Sequence, residues 1–267
     1  MTNLRKLPGW VSGVIGVTAV IAAWWIIAAV GGANAGDGVV YPIPTPLAVV
    51  TQLFTDGPAF YSGHIAVTLR EASVGFLWGN GLALILTFLV LLLPRIEKVA
   101  LQVAVITYCV PIVAIGPIVQ VVLGPPPSGQ PSDTATVLAA LSVFFTTVVG
   151  SLVGLKAADA ASLDVITVYG GGKFTQLRKV RIIAALPAVL NALKIAAPAA
   201  LLGAVLGEFF GQVERGLGLA MVAAGSASQS ARVWGIALVC ALVAGLGYAL
   251  FGLISRYATP WTSGRSV

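Results

Sequence analysis

Charged side chains are scarce in this chain of 267 residues, where Asp, Glu, Lys and Arg together make up only 9%. An average soluble domain carries about 25% charged residues, so this chain cannot cover a globular surface of its length with polar groups. It is also 58% hydrophobic, whereas disordered proteins combine high charge with low hydrophobicity. These shortages exclude an ordinary cytosolic enzyme and a disordered chain, and they indicate a membrane protein.

Cysteine and histidine are almost absent as well. Cys109 and Cys240 lie inside apolar runs, without metal-ligand spacing or a disulfide framework, so we interpret both as small packing residues. His64, the only histidine, has no partner motif for metal binding or acid–base catalysis. We expect no metal site, and we assign the net charge of +6 to loops beside a membrane rather than to nucleic-acid binding.

Long apolar runs are what the chain has in abundance, and six of them exceed or approach the roughly 20 residues that a helix needs to cross a bilayer. The predicted spans are Trp10–Val30, Ala72–Leu93, Val99–Val122, Ala135–Leu155, Ala184–Leu206 and Val233–Ile254. Pro111, Gly116 and Pro117 predict a kinked or broken third span. The first run is longer than the roughly 7–15 residues of a signal-peptide core, so we interpret it as a retained anchor, although Ala33-Asn34-Ala35 resembles a cleavage site.

Loop charges predict the orientation, because cytoplasmic loops retain Lys and Arg. If the N-terminus is inside, the outer segments hold only Arg70, Arg215 and Arg232, and Lys194 lies in the fifth span. The inner segments then hold Arg5, Lys6, Arg95, Lys98, Lys156, Lys173, Arg178, Lys179, Arg181, Arg256 and Arg265. The sequence therefore predicts an all-α, multi-pass protein with both termini in the cytoplasm.

Smaller features concern helix contacts and the outer loops. Glycines four residues apart permit close helix approach, although glycine is common in membrane helices in any case; the pairs are Gly75/Gly79, Gly150/Gly154, Gly203/Gly207 and Gly207/Gly211. The segment Leu47–Phe54 is suited to a short interfacial helix, and the prolines ahead of it forbid a helix start before Pro46. The segment Gly124–Thr134 is predicted to be an exposed turn region.

The inner loop Lys156–Ile183 is long and contains no span of its own. It has a helical stretch that ends at three glycines, 170–172, and then a basic run that leads into the fifth span. A long ordered loop tends to be functional, and on the residues alone this interpretation and the next are equally open. The alternative is a plain loop that its basic residues hold near anionic lipid.

The same loop contains an incomplete nucleotide-binding motif. Gly172-Lys173 matches the end of a phosphate-binding loop, but Thr167 stands where the first glycine belongs and Phe174 where the hydroxyl belongs. We therefore reject nucleotide binding here, and any ATP must be bound by another subunit.

Several segments follow one another in a characteristic order. Asp164–Gly170 runs from an acid to a glycine, with Val165 and Ile166 in the middle. A basic stretch and an apolar-proline segment come next. Further matching segments are Thr68–Phe76, Cys109–Pro117, Arg178–Arg181, Ala185-Leu186-Pro187 and Glu208 with Gly216-Leu217-Gly218. In these segments, over about residues 40–258, the chain resembles the permease subunits of bacterial ATP-binding-cassette importers. It is most similar to their nitrate/sulfonate/taurine group, which includes relatives that handle pyrimidine precursors.

The resemblance implies one permease domain over residues 1–267, with a core at about 65–258 and a coupling loop at about 156–183. It implies the type I importer fold, in which six transmembrane helices carry a cytoplasmic coupling helix. The implied contacts with an ATPase are Asp164, Val165, Ile166, Tyr169, Gly170, Gly171, Lys173 and Arg178. The candidates for a substrate pathway or gate are Tyr108, Cys109, Pro111, Pro117, Lys194 and Glu208.

The resemblance also implies the partners. They are ATPase subunits that bind ATP and Mg, a second permease of the same or a different chain, an extracytoplasmic solute-binding protein and the bacterial inner membrane. The chain itself would hold no cofactor and catalyse no reaction. The expected substrate is a small organic or inorganic anion or a heterocyclic nutrient.

Two other functions were weighed. An ion-coupled secondary transporter needs acids inside its spans, and none of the six runs contains Asp or Glu. An intramembrane enzyme needs a nucleophile with a base, or a metal cluster, which a single histidine outside the runs does not supply. At single positions, Lys194 is expected to reach water at the end of its span unless it lines the pathway. Glu208, with Glu214 and Arg215, forms an outer gate, contacts a solute-binding protein or makes an ordinary surface pairing.

Overall fold

A computed structural model describes residues 9–33 and 43–262, and these two ranges form α-helices and short turns without a β-strand. The helices are α1 (Gly9–Ala33), α2 (Pro46–Leu92), α3 (Glu97–Cys109), α4 (Ile112–Leu123), α5 (Asp133–Lys156), α6 (Ala160–Val168), α7 (Lys173–Gln176), α8 (Ile182–Glu208), α9 (Leu217–Ser226) and α10 (Ser230–Ala258). Arg5, Lys6 and Arg265 of the orientation argument lie outside the described residues, as do Asn34 and Ala35 of the cleavage-like sequence.

Helices that are able to span a membrane lie at the positions of the six predicted apolar runs. Helices α1, α2, α5 and α10 are long and apolar enough to cross a membrane, and so is the helical run Lys173–Glu208. The sixth candidate is the pair Pro94–Cys109 and Ile112–Leu123, bent by 92°. This bend confirms the predicted break of the third span. It follows from Pro111, which lacks an N–H and restricts Val110 before it to an extended backbone of φ −72° and ψ 123°.

The short helix predicted at Leu47–Phe54 is present, because α2 consists of two helices that meet at a kink at Gly57 and the first of them contains these residues; its interfacial position stays a prediction. The helix begins at Pro46, as the prolines require. It changes direction at Gly57, whose φ of 72° and ψ of 164° suit a residue without a side chain, just ahead of Pro58. The predicted turn region at 124–134 is two residues too long, because Ser132 caps α5 by accepting the N–H of Ala135 at 3.2 Å.

The chain groups into two compact units. In the first, residues up to Ser62 pack with residues 220–239. Trp24 of α1 stacks on Trp234 with 5.3 Å between ring centroids, and its indole N–H donates to the carbonyl of Pro44 at 3.0 Å. These contacts join α1 and the start of α10 within this unit.

A buried ion pair lies in the same unit. The side chain of Asp56 is only 1% exposed, and its Oδ1 lies 2.5 Å from Nη2 of Arg232. The Nε–H of Arg232 also donates to both carboxylate oxygens at 3.0 Å. Gln52 and Tyr61 donate to the same carboxylate at 2.7 and 3.0 Å. Three side chains therefore compensate one buried charge, and Arg232 ties the start of α2 to the start of α10.

The second unit, which contains residues 63–219 and the chain from Cys240 onward, is built around the contact of α5 with α8. Glycine and alanine form this seam. A Cβ at Gly203 would lie 2.7 Å from the Cα of Ala139, and a Cβ at Gly150 would lie 2.6 Å from that of Ala192. The other predicted glycine positions also lie in close contacts: Gly75 and Gly79 of α2 against α5, Gly154 against α8, Gly207 against Ala135 and Gly211 against Ser132. The pattern predicted from sequence therefore marks real helix contacts.

Candidate functional site

Helix α6, within the loop between α5 and α8, is fixed at both ends by its own sequence. Asp159 caps its N-terminus and accepts the N–H of Ser162 at 3.3 Å. At its C-terminus Gly170 adopts a φ of 76°. The N–H of Gly171 then donates to Ile166 at 2.8 Å, and that of Gly170 donates to Thr167 at 2.9 Å, which is the Schellman arrangement. The three-glycine stop predicted from the sequence is therefore a defined cap.

The exposed face of α6 is apolar. The exposed fractions are 54% for Val165, 83% for Val168 and 86% for Tyr169, whereas Ile166 is half-buried next to Gly171. Asp164 is exposed beside this face. Large apolar side chains on a short helix are usually buried. Their exposure on α6 is typical of a site that binds another molecule.

The chain after Gly172 packs against α6 through hydrogen bonds from α7. Gln176 of α7 donates to the carbonyl of Leu163 at 3.2 Å and to the hydroxyl of Thr167 at 2.8 Å. Leu177–Arg181 then forms one π-helical turn ahead of α8. Lys173 and Arg178 are exposed. The structure therefore brings all the predicted coupling residues onto one element or its flanks.

A second feature is a cavity of about 470 Å³ at the break between α3 and α4. Tyr108 and Pro111 line it, together with hydroxyl-bearing residues of α3 and α5 and apolar residues of α8; these are Thr107, Ser142, Thr146, Ala199, Leu202 and Leu206. Cys109 and Pro117 are exposed and are not part of its lining. The ring of Tyr108 stacks on that of Phe145 at 4.5 Å between centroids, so α3 is held against α5 beside the cavity.

A third feature is a buried polar cluster around Glu208, which is only 1% exposed. The hydroxyl of Thr68 donates to its Oε1 at 2.5 Å, and the N–H of Gly218 donates to its Oε2 at 2.5 Å. The Thr68 oxygen also accepts the N–H of Leu217 at 2.9 Å. A Cβ at Gly218 would lie 2.9 Å from Oε2 of Glu208, so glycine is required for this close approach. Glu208 thus anchors the segment that follows α8, and its predicted surface pairing is wrong.

A comparison with protein families identifies the family of this chain. Residues 77–264 match the family of binding-protein-dependent transport system inner membrane components. The chain belongs to this family. It is a permease of the ATP-binding-cassette importers, of the sulfonate/nitrate type, and a multi-pass protein of the inner membrane. The all-α type I permease fold expected from the sequence is confirmed.

Three relatives place the permease within the family. It is 35% identical to a probable ABC transporter permease protein of Haemophilus influenzae, over 71% of this chain and 74% of the relative. It is 28% identical to the putative aliphatic sulfonates transport permease protein SsuC of Bacillus subtilis, over 96% and 90%. It is 24% identical to the formylaminopyrimidine transport permease protein ThiX of Halalkalibacterium halodurans, over 83% and 86%.

Glu71 and Glu208 lie in candidate spanning helices, although the six predicted runs contain no acid. Glu208 is the last residue of α8, and Glu71 lies fully buried within α2, where its Oε1 accepts the N–H of Ser132 at 2.5 Å. Both fall just outside the predicted runs, which ended where hydropathy dropped. Sequence reasoning also missed His64, whose Nδ1 accepts the N–H of Gly216 at 3.0 Å. No metal-binding cluster of three His, Cys, Asp or Glu residues occurs within residues 9–33 and 43–262.

Lys194 contacts α10 from within α8, and its expected access to water or to a pathway stays a prediction. It is half-buried, with its Nζ 4.3 Å from the ring centroid of Tyr248 in α10, and it is not part of the lining of the cavity at the α3–α4 break. A cation over an aromatic face is stabilised by the ring quadrupole. The tyrosine therefore offers the ammonium group a partner inside the helix bundle.

Replacing Thr68 by valine is expected to lower the free energy of unfolding by about 2 kcal/mol, because the N–H of Leu217 and one oxygen of Glu208 each lose a buried partner. Thr51→Val is the matched control: its exposed hydroxyl bonds only to carbonyls of its own helix, and the change should stay within about 0.5 kcal/mol. Denaturant titration of the purified permease in detergent measures both. Equal effects at the two positions would contradict the anchoring role.

Proposed function

We propose that α6 is the coupling helix of this permease and that it docks on a separate ATPase subunit, whose ATP-driven closure is transmitted to the spanning helices. The observation that carries the proposal is the exposed apolar face of Val165, Val168 and Tyr169 on a helix capped at both ends. A rigid helix transmits force better than a flexible loop. Energy transfer also requires contacts that differ between two states of the complex, which such a protruding face can provide.

The loop charges support a cytoplasmic position for α6. The predicted inner segments carry most of the basic residues, which is the pattern of cytoplasmic loops. Both termini of the permease then lie in the cytoplasm, and the segment after Glu208 lies on the opposite side. There it would face an extracytoplasmic solute-binding protein.

The pathway is proposed to pass the cavity at the α3–α4 break, completed by a second permease of the same or a different chain. This cavity is large enough for a small ligand. The printed names of two relatives, for aliphatic sulfonates and formylaminopyrimidine, support a small organic anion or a heterocyclic nutrient as the substrate.

The test uses the permease reconstituted in liposomes with its ATPase and its binding protein. Changing both Val168 and Tyr169 to aspartate should abolish ATP-dependent uptake and weaken binding of the ATPase by roughly 30-fold or more, because two apolar anchors are lost. Ala160→Asp adds a charge to the same helix outside its apolar face and should leave uptake near the wild-type rate. Uptake and ATPase co-purification are measured on the same preparations.

Two outcomes would contradict the proposal. One is wild-type uptake by the double variant, and the other is equal loss in the Ala160→Asp control. Uptake that follows an ion gradient and continues without ATP would instead support an ion-coupled secondary transporter.

A further inference from the structure

A basic crevice lies behind the coupling helix, where the chain leaves α2 and where it enters α8. The crevice has a volume of about 440 Å³. Its lining combines an apolar floor with two cations: Leu91, Leu92, Pro94, Phe174, Gln176 and Leu177 with Lys173 and Arg181. Among these lining residues only Lys173 has an expected role, as a contact with an ATPase.

The two cations of the crevice are unpaired within residues 9–33 and 43–262. Neither Lys173 nor Arg181 takes part in an ion pair or a side-chain hydrogen bond there. Glu97 lines a smaller neighbouring cavity together with Arg181. Glu97 already pairs with Lys156 at 2.5 Å. The crevice therefore has positive charge available for an anion.

The position of the crevice points to the membrane surface as the source of that anion. Helix α2, a membrane span, ends at Leu92, and the exposed fractions of Leu92, Leu93 and Phe174 are 56%, 55% and 74%. Apolar side chains beside cations at the end of a span match the boundary between the acyl chains and the headgroups of a lipid. A small soluble anion would gain no favourable contact from the apolar residues that line the crevice.

The backbone beside the crevice departs from regular α-helix. The single π-helical turn Leu177–Arg181 interrupts the regular helix. Within it Leu177 is buried, and both Leu177 and Arg181 line the cavity. Such turns add one residue to a helix and often occur at functional sites. An irregular turn, two unpaired cations and an apolar floor thus meet at one place.

We propose that this crevice binds the headgroup of an anionic phospholipid, with Lys173 and Arg181 contacting its phosphate and Leu92 and Phe174 contacting its acyl chains. Gln176 lines the crevice and donates two hydrogen bonds to α6. A bound lipid would therefore stabilise the contact between Gln176 and the coupling helix. This site does not depend on ATPase docking and can be tested on the permease alone.

The experiment measures the thermal unfolding midpoint of the full-length permease in neutral detergent with added phosphatidylglycerol, phosphatidylcholine or inorganic phosphate. Only phosphatidylglycerol should raise the midpoint of the wild type. The double variant Lys173→Gln/Arg181→Gln should need far more phosphatidylglycerol for the same shift, roughly fivefold more for each lost cation. The control Arg178→Gln/Lys179→Gln removes the same charge from exposed positions outside the crevice and should respond as the wild type does.

Several results would overturn the proposal. They are an equal loss in both double variants, no loss in either, or a matching shift with inorganic phosphate alone. If the crevice double variant does not fold, the single change Lys173→Gln at an exposed position takes its place, and an undiminished phosphatidylglycerol response would count against the site. Hydrogen exchange of residues 160–181 gives a second readout, in which phosphatidylglycerol should slow exchange in the wild type and in the control variant but not in the crevice double variant.

Discussion

Replacing Arg232 by alanine is expected to lower the free energy of unfolding by about 3 kcal/mol. Removing one partner of a buried ion pair leaves the other charge uncompensated, and this costs far more than the pair itself contributes. The Asp56 side chain is 1% exposed and that of Arg232 is 30% exposed, so the carboxylate loses its charged partner in a site that water reaches from one side only. Gln52 and Tyr61 would remain as donors, but neither carries a positive charge.

Two comparisons isolate this effect. Arg70→Ala removes the same side chain at an exposed position and should change the free energy of unfolding by less than about 0.5 kcal/mol. Combining Asp56→Asn with Arg232→Ala should recover part of the loss, because no buried charge is left without a partner. Denaturant titration in detergent follows all four proteins. A loss below about 1 kcal/mol for Arg232→Ala would show that Asp56 finds compensation elsewhere.

Replacing Gly203 by leucine is expected to prevent stable packing of α5 against α8. Even the first carbon of a side chain at this position would lie 2.7 Å from both the Cα of Ala139 and the carbonyl oxygen of Leu138. Backbone atoms cannot move aside as a flexible side chain can, so the helices must separate. Overpacking costs about 1–3 kcal/mol in ordinary cores, and we expect the upper end of this range or more.

The matched change is Gly245→Leu in α10, where a Cβ would meet no atom within 4 Å. It adds the same side chain to a spanning helix and should leave the yield of monodisperse protein unchanged. Size-exclusion profiles and thermal unfolding midpoints of the two variants give the comparison. Similar losses at both positions would mean that the added bulk, rather than the helix contact, causes the defect.

Much of the fold was predictable because its signals are local. Pro111 breaks the third span through its own missing N–H, and Gly170 ends α6 through its own left-handed conformation. The glycine pairs on α5 and α8 predicted the seam because small residues repeat on one helix face. Asp159 was missed, although an acid directly before an alanine-rich helical stretch is a readable N-cap signal.

The rest depended on residues that are distant in sequence. Thr68, Glu208 and Leu217 meet in one hydrogen-bonded cluster, yet no periodicity connects their three segments. A prediction from hydropathy alone ends a span at the first acid. It therefore leaves out Glu71 and Glu208, which are buried in the folded protein. The position of Lys194 over Tyr248 likewise depends on the packing of α8 against α10, which the sequence of either helix does not reveal.

The α5–α8 seam has a consequence for how the molecule can move. Alanine and glycine have no rotamers to exchange, so the parts of the seam that they form cannot be repacked by reorienting side chains. We therefore expect these two helices to travel together as a rigid body during each transport cycle. The hinge must then lie elsewhere, and the interrupted backbone at Val110 and Pro111 is a place where a change in dihedral angles breaks no helical hydrogen bond.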